Sequence, residues 1–444
     1  MRLNRQERRF VLLASSAHWG QHVFYRLIPP LIPVLVVAFD LPLWQLGLLV
    51  SIYGFAGGLG QAPMGILSDR FDRRYLLPPG FVFMAVGYLT FALAGRVGGP
   101  IPTLTAGGTG FDGTFIAMAA GMFIAGIGFS VVHPVGYPLL TDNVEAGKKG
   151  TALGFWGSAS KFGDATAPLL VGFLLLVLSW NQILFIMGLL GLLFAVILYV
   201  AMGTPAIETM PDGRRNGSAQ VTKSDAAAVR DRRAFLIPMG LIVLFFFSIS
   251  FAVQGINTFT PVFVSDVYGF SLTLFGVTME PESVANLYFS VLLISGGLTQ
   301  IAVGPLSDRF DNRAVLLTML AVGTGALLVT TLLAHTWFTL LVIAIVLGAS
   351  LFGLNPARDA LMSDITPPAY EGRTFGYVWT LAMVVSSGYP VVIGYLADVV
   401  GIANSYAVLA VGPALGAVFI LLLYSDRLYR APAPGQAAVA DAER

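Results

Sequence analysis

The chain contains no cysteine and few charged side chains. Charged residues make up 11% of its 444 residues, whereas hydrophobic residues make up 56%. The absence of cysteine excludes disulfide bridges, thiolate metal sites and a cysteine nucleophile. The 25 Lys and Arg nearly balance the 24 Asp and Glu, so no excess of positive charge favours a nucleic-acid partner. This composition is poor for soluble domains and indicates a membrane-embedded chain.

Twelve apolar segments are long enough to cross a bilayer, since a spanning helix needs ~20 residues. Six lie in the first half of the chain, near 10–38, 43–67, 76–96, 113–141, 150–178 and 181–203. Six more lie in the second half, near 234–265, 284–306, 314–334, 337–363, 373–398 and 402–425. The first segment is too long for a cleaved signal peptide. We therefore predict an all-α membrane protein with 12 transmembrane helices.

The charge pattern predicts the orientation and the domain boundaries. Most Lys and Arg lie at the N-terminus, in alternate loops, in the central polar stretch and in the C-terminal tail. Because such residues collect in segments that are not translocated, we expect both termini to be cytoplasmic and the chain to lie in the plasma membrane. The predicted domains are two six-helix bundles at 1–203 and 234–430, a cytoplasmic linker at 204–233 and a disordered tail at 431–444.

The two halves repeat each other. The sequence SDRFD stands at 68–72 and again 239 positions later at 307–311. A second set recurs at an offset of 222 and pairs Asp142 with Asp364. Direct repeats in one orientation predict two bundles related by a pseudo-twofold axis normal to the membrane.

Two related motifs carry a family resemblance. GILSDRFDRR at 65–74 and GPLSDRFDNR at 304–313 resemble the loop signature of the major facilitator superfamily, which implies a transporter that works by alternating access. By this resemblance, Asp69 caps the N-terminus of the eleventh spanning helix, and Arg73 pairs with Asp142. The alternative is a solvated turn that only fixes topology. The resemblance implies that these contacts hold the two bundles closed on the cytoplasmic side, and we call the residues involved the latch residues. They are Asp69, Arg70, Arg73, Asp142, Asp308, Arg309 and Arg313.

Two further stretches resemble the fosmidomycin-resistance type of efflux transporter. They are SAHWGQHVFYRLIPPLIP in the first span and GIGFSVVHPVGYP in the fourth. The chain departs from that subfamily at His22, which stands where an acidic residue is usual. It also lacks the superfamily's Arg-x-x-Gln-Gly element, since Met122 and Ala125 occupy those positions. A degenerate Gly-Pro-rich antiporter signature in the fifth span favours export.

A polar stripe marks the first span. His18, His22 and Arg26 recur every four residues, and Gln21 and Tyr25 fall within the same arc of roughly 140°. Because charge in a spanning helix is costly in lipid, we predict that this stripe faces a central cavity and binds substrate.

The fifth span carries Lys161 and Asp164, one helical turn apart. Burial favours the neutral carboxyl of Asp164, whereas a nearby cation favours the carboxylate. An anionic substrate that engages Lys161 or Arg26 would free Asp164 to take a proton, which predicts exchange of substrate for protons. The alternative is an ion pair that only packs helices. His133 either joins this proton path or is a hydrogen-bonded core residue.

The second half offers polar and aromatic side chains instead of charge. We predict shape and stacking contacts with substrate, although packing roles are an alternative, for Gln254, Asn257, Tyr377 and Trp379. Arg358 and Asp359 form either a gate pair or a local salt bridge.

No enzyme, metal or cofactor site is expected. His18 and His22 have the spacing of a zinc helix, but Trp19 stands where a metalloprotease has Glu and no third ligand is evident. The sequence predicts a monomeric, proton-coupled exporter of small anionic or amphipathic compounds, in contact only with lipid, substrate and protons. The alternatives are an importer of an organic or phosphorylated anion and a non-transporting membrane sensor or scaffold.

Overall fold

A computed structural model of the chain describes residues 3–145, 148–204, 207–211, 232–274, 276–366 and 371–425. The first half contains α1 (Arg5–Tyr25), α2 (Ile32–Phe39), α3 (Leu43–Ser68), α4 (Leu77–Ala92), α5 (Ala94–Val97), β1 (Leu104–Ala106), β2 (Thr109–Phe111), α6 (Gly113–Asp142), α7 (Lys149–Leu174) and α8 (Trp180–Met202). The second half contains α9 (Arg232–Val267), β3 (Leu272–Leu274), β4 (Val277–Met279), α10 (Pro281–Ser307), α11 (Asn312–Leu332), α12 (Trp337–Phe352), α13 (Asn355–Ile365), α14 (Glu371–Ser386), α15 (Tyr389–Val400), α16 (Ile402–Val408) and α17 (Val411–Leu422).

Every predicted span coincides with a helix or a pair of consecutive helices, so the twelve-helix expectation is confirmed. In the described part of the chain, 11 helical stretches are both long and apolar enough to cross a membrane. The remaining span is α7, whose many small and polar residues lower its hydropathy. It has 26 residues, which at 1.5 Å per residue gives ~39 Å, enough to cross the hydrocarbon core.

Prolines interrupt several spans. The first span breaks between α1 and α2, where Pro29 and Pro30 begin a short 3-10 helix, because proline lacks the N–H that a continuing helix needs. Arg26 lies at this break as the C-cap of α1. The related span of the second half, α9, continues without a break through Gln254. The two halves therefore differ in backbone at the position that carries Arg26.

Two short β-hairpins depart from the purely helical expectation. β1 pairs with β2 and β3 pairs with β4, both antiparallel. Gly107 and Gly108 form the first turn with positive φ angles of 59° and 82°, which a two-residue hairpin turn of this hand requires. The Gly-rich segment thus turns a hairpin that leads into α6.

Contacts divide the chain into two compact units. Unit 1 comprises Met1–Asn216, Thr258–Ser290 and Ser387–Asp398, and unit 2 comprises Gly217–Asn257, Val291–Ser386 and Val399–Arg444. These units do not test the predicted bundle boundaries at 1–203 and 234–430, which stay predictions. Most of the predicted linker at 204–233 and the whole predicted tail at 431–444 lie outside the described residues.

Within unit 1, α15 lies in backbone contact with the start of α3. A Cβ added at Gly47 would lie 2.2 Å from the carbonyl oxygen of Pro390, so only glycine allows this approach. Beside it, the Asp398 carboxylate accepts hydrogen bonds from the backbone N–H groups of Leu43 and Trp44, each at 2.8 Å. An aspartate of α15 therefore caps the N-terminus of α3, at the end of the bundle opposite the chain's N-terminus.

Candidate functional site

The polar stripe of α1 lies inside unit 1. His18 is 4% exposed, Gln21 is fully buried and Arg26 is 8% exposed. His22 and Tyr25 are partly buried on the same helix. The stripe faces α6 and α7, because all its described polar contacts are made to residues of those two helices.

Asp164 on α7 is the centre of this polar cluster. Its Oδ1 lies 3.0 Å from Nε of Arg26 and 3.0 Å from Nδ1 of His22. Its Oδ2 lies 3.9 Å from Nζ of Lys161. Asp164 is 5% exposed, so this carboxylate is compensated by cations and donors from two helices. The structure thus brings together the four residues for which we predicted charge recognition and coupling.

A glycine sets the distance between the two helices that build the cluster. A Cβ added at Gly163 would lie 2.4 Å from the carbonyl oxygen of Trp19 and 2.8 Å from Cβ of His22. Because no larger residue fits there, α1 and α7 approach closely enough for the short aspartate side chain to reach His22.

Three histidines form the part of the site nearer the chain's N-terminus. Nδ1 of His18 lies 2.7 Å from the carbonyl oxygen of Trp156, whose ring stacks on the imidazole at 4.1 Å between centroids. Nε2 of His18 lies 3.2 Å from Nε2 of His133. Gln21 donates a hydrogen bond to the carbonyl oxygen of Phe129 at 2.8 Å and lies 3.2 Å from Nδ1 of His133.

Aromatic rings lie beside Arg26. The rings of Tyr25, Tyr53 and Phe129 lie 5.0–5.6 Å apart between centroids. The Arg26 guanidinium carbon lies 4.5 Å from the centre of the Tyr25 ring, a cation–π contact. The hydroxyl of Tyr53 is buried without a hydrogen-bond partner. Cation and aromatic faces therefore adjoin in one place, as an anionic ligand with an apolar body requires.

Sequence reasoning missed several members of this site. The site residues predicted from the sequence do not include Trp156, Tyr53 or Phe129. Trp156 is the one tryptophan of α7, but its spacing from Lys161 and Asp164 does not relate it to His18 on another helix. Phe129 stands one helical turn before His133 and could have been found from that spacing.

Two of the residues predicted in the second half, Arg358 and Trp379, lie in unit 2 and form a smaller cluster with Phe246. The Arg358 guanidinium carbon lies 4.6 Å from the centre of the Phe246 ring and 4.7 Å from that of Trp379. Its Nε donates to Oδ1 of Asp359 at 2.9 Å, so these two adjacent residues form a local ion pair. Tyr377 is 75% exposed. The gate and substrate roles predicted for these residues stay predictions.

Asn257 and Gln254 lie on α9. Asn257 is 2% exposed, and its Oδ1 is buried without a hydrogen-bond partner. Gln254 is partly buried. Their predicted contact with substrate stays a prediction.

The first latch motif pairs as the resemblance implies. Nη1 of Arg73 lies 2.7 Å from Oδ2 of Asp142, and its Nε donates to Oγ of Ser68. Arg73 is 2% exposed, so the pair fixes the loop after α3 to the end of α6. Asp69 and Arg70 are exposed. The helix that Asp69 is expected to cap belongs to unit 2, and this capping stays a prediction.

The second latch motif uses a different residue. Nδ2 of Asn312, which stands 239 positions after Arg73, donates to Oδ2 of Asp364 at 3.1 Å. Arg313 instead pairs with Asp311 at 2.6 Å. Burial raises the pKa of Asp311, but the hydrogen bonds from Arg313 outweigh it and lower that pKa below its usual range. The two repeat offsets relate Asn312 to Arg73 and Asp364 to Asp142, so this contact was predictable from the sequence, although Arg313 is the residue that the motif resemblance implies.

The remaining members of the second motif are exposed. Asp308 and Arg309 lie at the surface after α10. Their predicted role in a latch stays a prediction.

The sequence model of the Major Facilitator Superfamily matches residues 15–281 and 280–443. The chain belongs to this superfamily. It is therefore a membrane transporter and not an enzyme, and the resemblance carried by the two loop motifs is confirmed.

The chain is similar to several transporters over most of its length. An uncharacterized MFS-type transporter of Bacillus subtilis, YfnC, is 24% identical and covers 95% of this chain and 94% of its own. The fosmidomycin resistance protein of Escherichia coli is 22% identical, and the alignment covers 92% of this chain and 91% of that protein. The hexuronate transporter of Escherichia coli is 24% identical, and the alignment covers 89% of this chain and 88% of that protein.

A solved structure agrees with the fold. The bacterial homolog of the human lysosomal transporter Spinster, in an inward-facing and occupied conformation, matches with a TM-score of 0.74 at 15% identity. The match covers 97% of this chain and all of that one. At this identity the likeness shows the fold alone.

Proposed function

We propose that the chain is a proton-coupled exporter of small anionic or amphipathic compounds, with Asp164 as its coupling residue. The observation that supports this proposal is the buried carboxylate of Asp164, which Arg26, His22 and Lys161 surround. Its setting differs from a plain packing pair, because three donors compete for two oxygens. A change at any of the three therefore alters the charge balance at the other two.

The contact distances suggest the order of events. Lys161 makes the longest contact, 3.9 Å, and its side chain is 35% exposed. An anion that enters the site reaches this ammonium group before the buried guanidinium of Arg26. As the cations turn to the anion, Asp164 loses compensation, and a buried carboxylate without a cation takes up a proton. Release of the anion restores the ion pairs and expels the proton, so anion and proton bind together. Joint binding couples the two in the same direction and favours the import candidate, whereas export by exchange requires the proton to leave Asp164 before the anion binds.

The aromatic groups define the second part of the substrate. The rings of Tyr25, Tyr53 and Phe129 beside Arg26 offer an apolar surface next to the charge. A compound with one acidic group and an aromatic or aliphatic body satisfies both features. The resemblance to the fosmidomycin resistance protein and the Gly-Pro-rich α7 favour export.

Import of an organic or phosphorylated anion is the second candidate. An importer would use the same two cations, Arg26 and Lys161, which we call the anion clamp, to carry the anion in the opposite direction. The similarity to a hexuronate transporter favours this candidate. Family membership supports transport over the third alternative, a sensor or scaffold.

The decisive experiment follows the pH gradient across inside-out membrane vesicles while anionic, neutral and cationic compounds are added. Wild type is compared with Asp164→Asn and with Asp266→Asn, which removes an exposed aspartate at the end of α9. We expect particular anionic compounds to dissipate the gradient with wild type and Asp266→Asn but not with Asp164→Asn. If no compound dissipates the gradient with any of the three proteins, and each protein is confirmed to be inserted in the membrane, proton-coupled export is wrong. The import candidate is then the better supported one.

The repeat offers matched variants for the anion clamp. Arg26 corresponds to Gln254 and Lys161 to Met383 in the second half, so Arg26→Gln and Lys161→Met install residues that this fold already carries at related positions. We expect both variants to lose response to anionic compounds while neutral compounds are unaffected. An equal loss for neutral and anionic compounds would contradict the clamp and indicate a structural role.

A further inference from the structure

Three of the chain's four histidines converge in unit 1. His18, His22 and His133 offer ring nitrogens that all lie within 4.8 Å of one another. The Nε2 atoms of His18 and His133 are 3.2 Å apart. In a tetrahedral zinc site with Zn–N bonds of ~2.05 Å, neighbouring nitrogens lie ~3.3 Å apart. One edge of such a tetrahedron is therefore already formed.

Two of the three rings have the outer partners that metal-binding histidines need. Nδ1 of His18 faces the carbonyl oxygen of Trp156, and Nδ1 of His22 faces the carboxylate of Asp164. Each oxygen holds the ring proton on Nδ1 and leaves the lone pair on Nε2, an arrangement that orients ligating histidines. Nε2 of His22 is buried and has no hydrogen-bond partner. A buried lone pair without a donor indicates that a further group belongs there.

The third ring needs one adjustment. Nδ1 of His133 lies 3.2 Å from the amide nitrogen of Gln21, whose Oε1 is itself buried without a partner. If His133 carries its proton on Nδ1, Gln21 can turn this oxygen to accept it by giving up its hydrogen bond to the carbonyl oxygen of Phe129, which leaves Nε2 of His133 as a ligand. A cation bound between the rings would thus satisfy His22 directly and Gln21 through His133.

We propose that His18, His22 and His133 bind a divalent transition-metal ion of the zinc type, such as Zn²⁺, Ni²⁺ or Co²⁺, through their Nε2 atoms. Three neutral imidazoles without a carboxylate ligand suit these ions and not Ca²⁺ or Mg²⁺, which prefer oxygen. The fourth position stays open for water or a ligand oxygen. The site goes beyond the proposed function and does not depend on it.

The proposal departs from the sequence-based expectation that no metal site exists. That expectation depended on the lack of a third ligand beside His18 and His22, and α6 supplies it as His133. No local motif shows this, because His133 is more than a hundred residues away along the chain.

Neighbouring charge predicts how tightly the ion binds. Arg26 and Lys161 place two positive charges around Asp164, and they repel a dication. We therefore expect Lys161→Met to tighten metal binding, whereas Asp164→Asn weakens it roughly 10–100-fold by removing the partner of His22.

The test is Co²⁺ titration of the purified full chain, carrying an affinity tag without histidine, and followed by visible absorption. The absence of cysteine removes thiolate bands, so visible absorption reports nitrogen and oxygen ligands only. We expect one Co²⁺ per chain, displaced by Zn²⁺. His133→Gln should abolish the signal, and His335→Gln should keep it, because His335 belongs to unit 2 and lies 2.8 Å from the carbonyl oxygen of Val329, whereas the three histidines of the proposed site belong to unit 1. Absence of binding in wild type, or equal binding by His133→Gln, would overturn the proposal.

A measurement on wild type alone covers the case in which His133→Gln does not fold. X-ray absorption at the zinc edge of the Zn²⁺-loaded protein should show three imidazole nitrogens at ~2.0–2.1 Å. Fewer than three imidazoles would overturn the site. Because this readout involves no transport, it is independent of the pH-gradient experiment, and either proposal can fail while the other stands.

Discussion

The clearest mechanical prediction concerns Asp398, which caps α3 from α15. Its carboxylate accepts two backbone hydrogen bonds at 2.8 Å, from Leu43 and Trp44. The residue at the N-cap, Pro42, makes no side-chain cap of its own. Replacement by Ala therefore leaves two N–H groups at this helix end without a protein partner. Although α3 and α15 belong to different halves of the repeat, both lie in unit 1, where the cap holds these two helices together.

The expected magnitude follows from the geometry. Loss of a capping side chain costs typically ~1 kcal/mol, and loss of a carboxylate at a helix N-terminus costs a further ~0.3–1 kcal/mol. Asp398 is exposed, so water replaces part of the interaction and the upper limits do not apply. A total of about 1–2 kcal/mol corresponds to a roughly 5–30-fold rise in the population in which this contact is open.

A cysteine-labelling assay measures that population without background, because the chain has no cysteine. Ser387 is 4% exposed and faces Gly54 of α3, where an added Cβ would lie 3.2 Å from Cβ of Ser387. A maleimide can therefore reach the variant Ser387→Cys only when α3 and α15 separate. We expect Asp398→Ala to raise the labelling rate of Ser387→Cys by the factor above. The matched control is Asp40→Asn, which removes an exposed charge from the preceding turn.

The reasoning is wrong if Asp398→Ala changes the labelling rate less than twofold, or if Asp40→Asn raises it as much. The first result would mean that packing of the glycines holds the helices together without the carboxylate. The second would mean that net charge near the helix end, and not the cap, controls opening.

Two further predictions concern helix packing and the latch. Gly163→Ala should lower the free energy of unfolding by roughly 1–3 kcal/mol, because the added Cβ overlaps the backbone of Trp19. Gly157→Ala, which has open space around it, should be neutral or stabilising. Thermal unfolding in detergent compares the two variants, and equal melting temperatures would contradict the close contact. Arg73→Ala should lower the free energy of unfolding by about 3–5 kcal/mol, because it removes the partly buried ion pair with Asp142. Arg73→Asn should recover part of this loss, since Asn312 makes the related contact with Asp364 in the second half; identical destabilisation by both variants would show that the arginine charge is essential.

The sequence predicted the helices well because spanning segments are long and uniformly apolar. Each boundary expected from hydropathy lies close to a helix end, including α7, whose polar residues lower its hydropathy. The breaks within spans were harder to predict, because Pro261 leaves α9 continuous while Pro29 and Pro30 together interrupt the first span. Two adjacent prolines remove consecutive N–H donors, whereas a single one near a helix end can be accommodated.

The site was predictable where its members share a helix and not where they meet across helices. Spacing along α1 predicted the stripe that carries His18 and Arg26, and one-turn spacing predicted the Lys161 contact with Asp164. The position of His133 beside His18 depends on how α1 and α6 pack, which periodicity does not specify. The same holds for Trp156, whose carbonyl oxygen orients His18.

The unequal distribution of charge between the repeats has a structural counterpart. The break after α1 places Arg26 at a helix end, where the interrupted backbone and the nearby Asp164 compensate its charge inside the membrane. Gln254 occupies the related position on an unbroken helix, where a neutral amide avoids the cost of a buried cation. Broken helices near the middle of a membrane commonly carry the ligand sites of transporters. Both halves derive from the same repeat, but the first span is broken only in the first half. This difference is consistent with the proposals that place the binding of an anion, a proton and a metal ion in the first half of the chain.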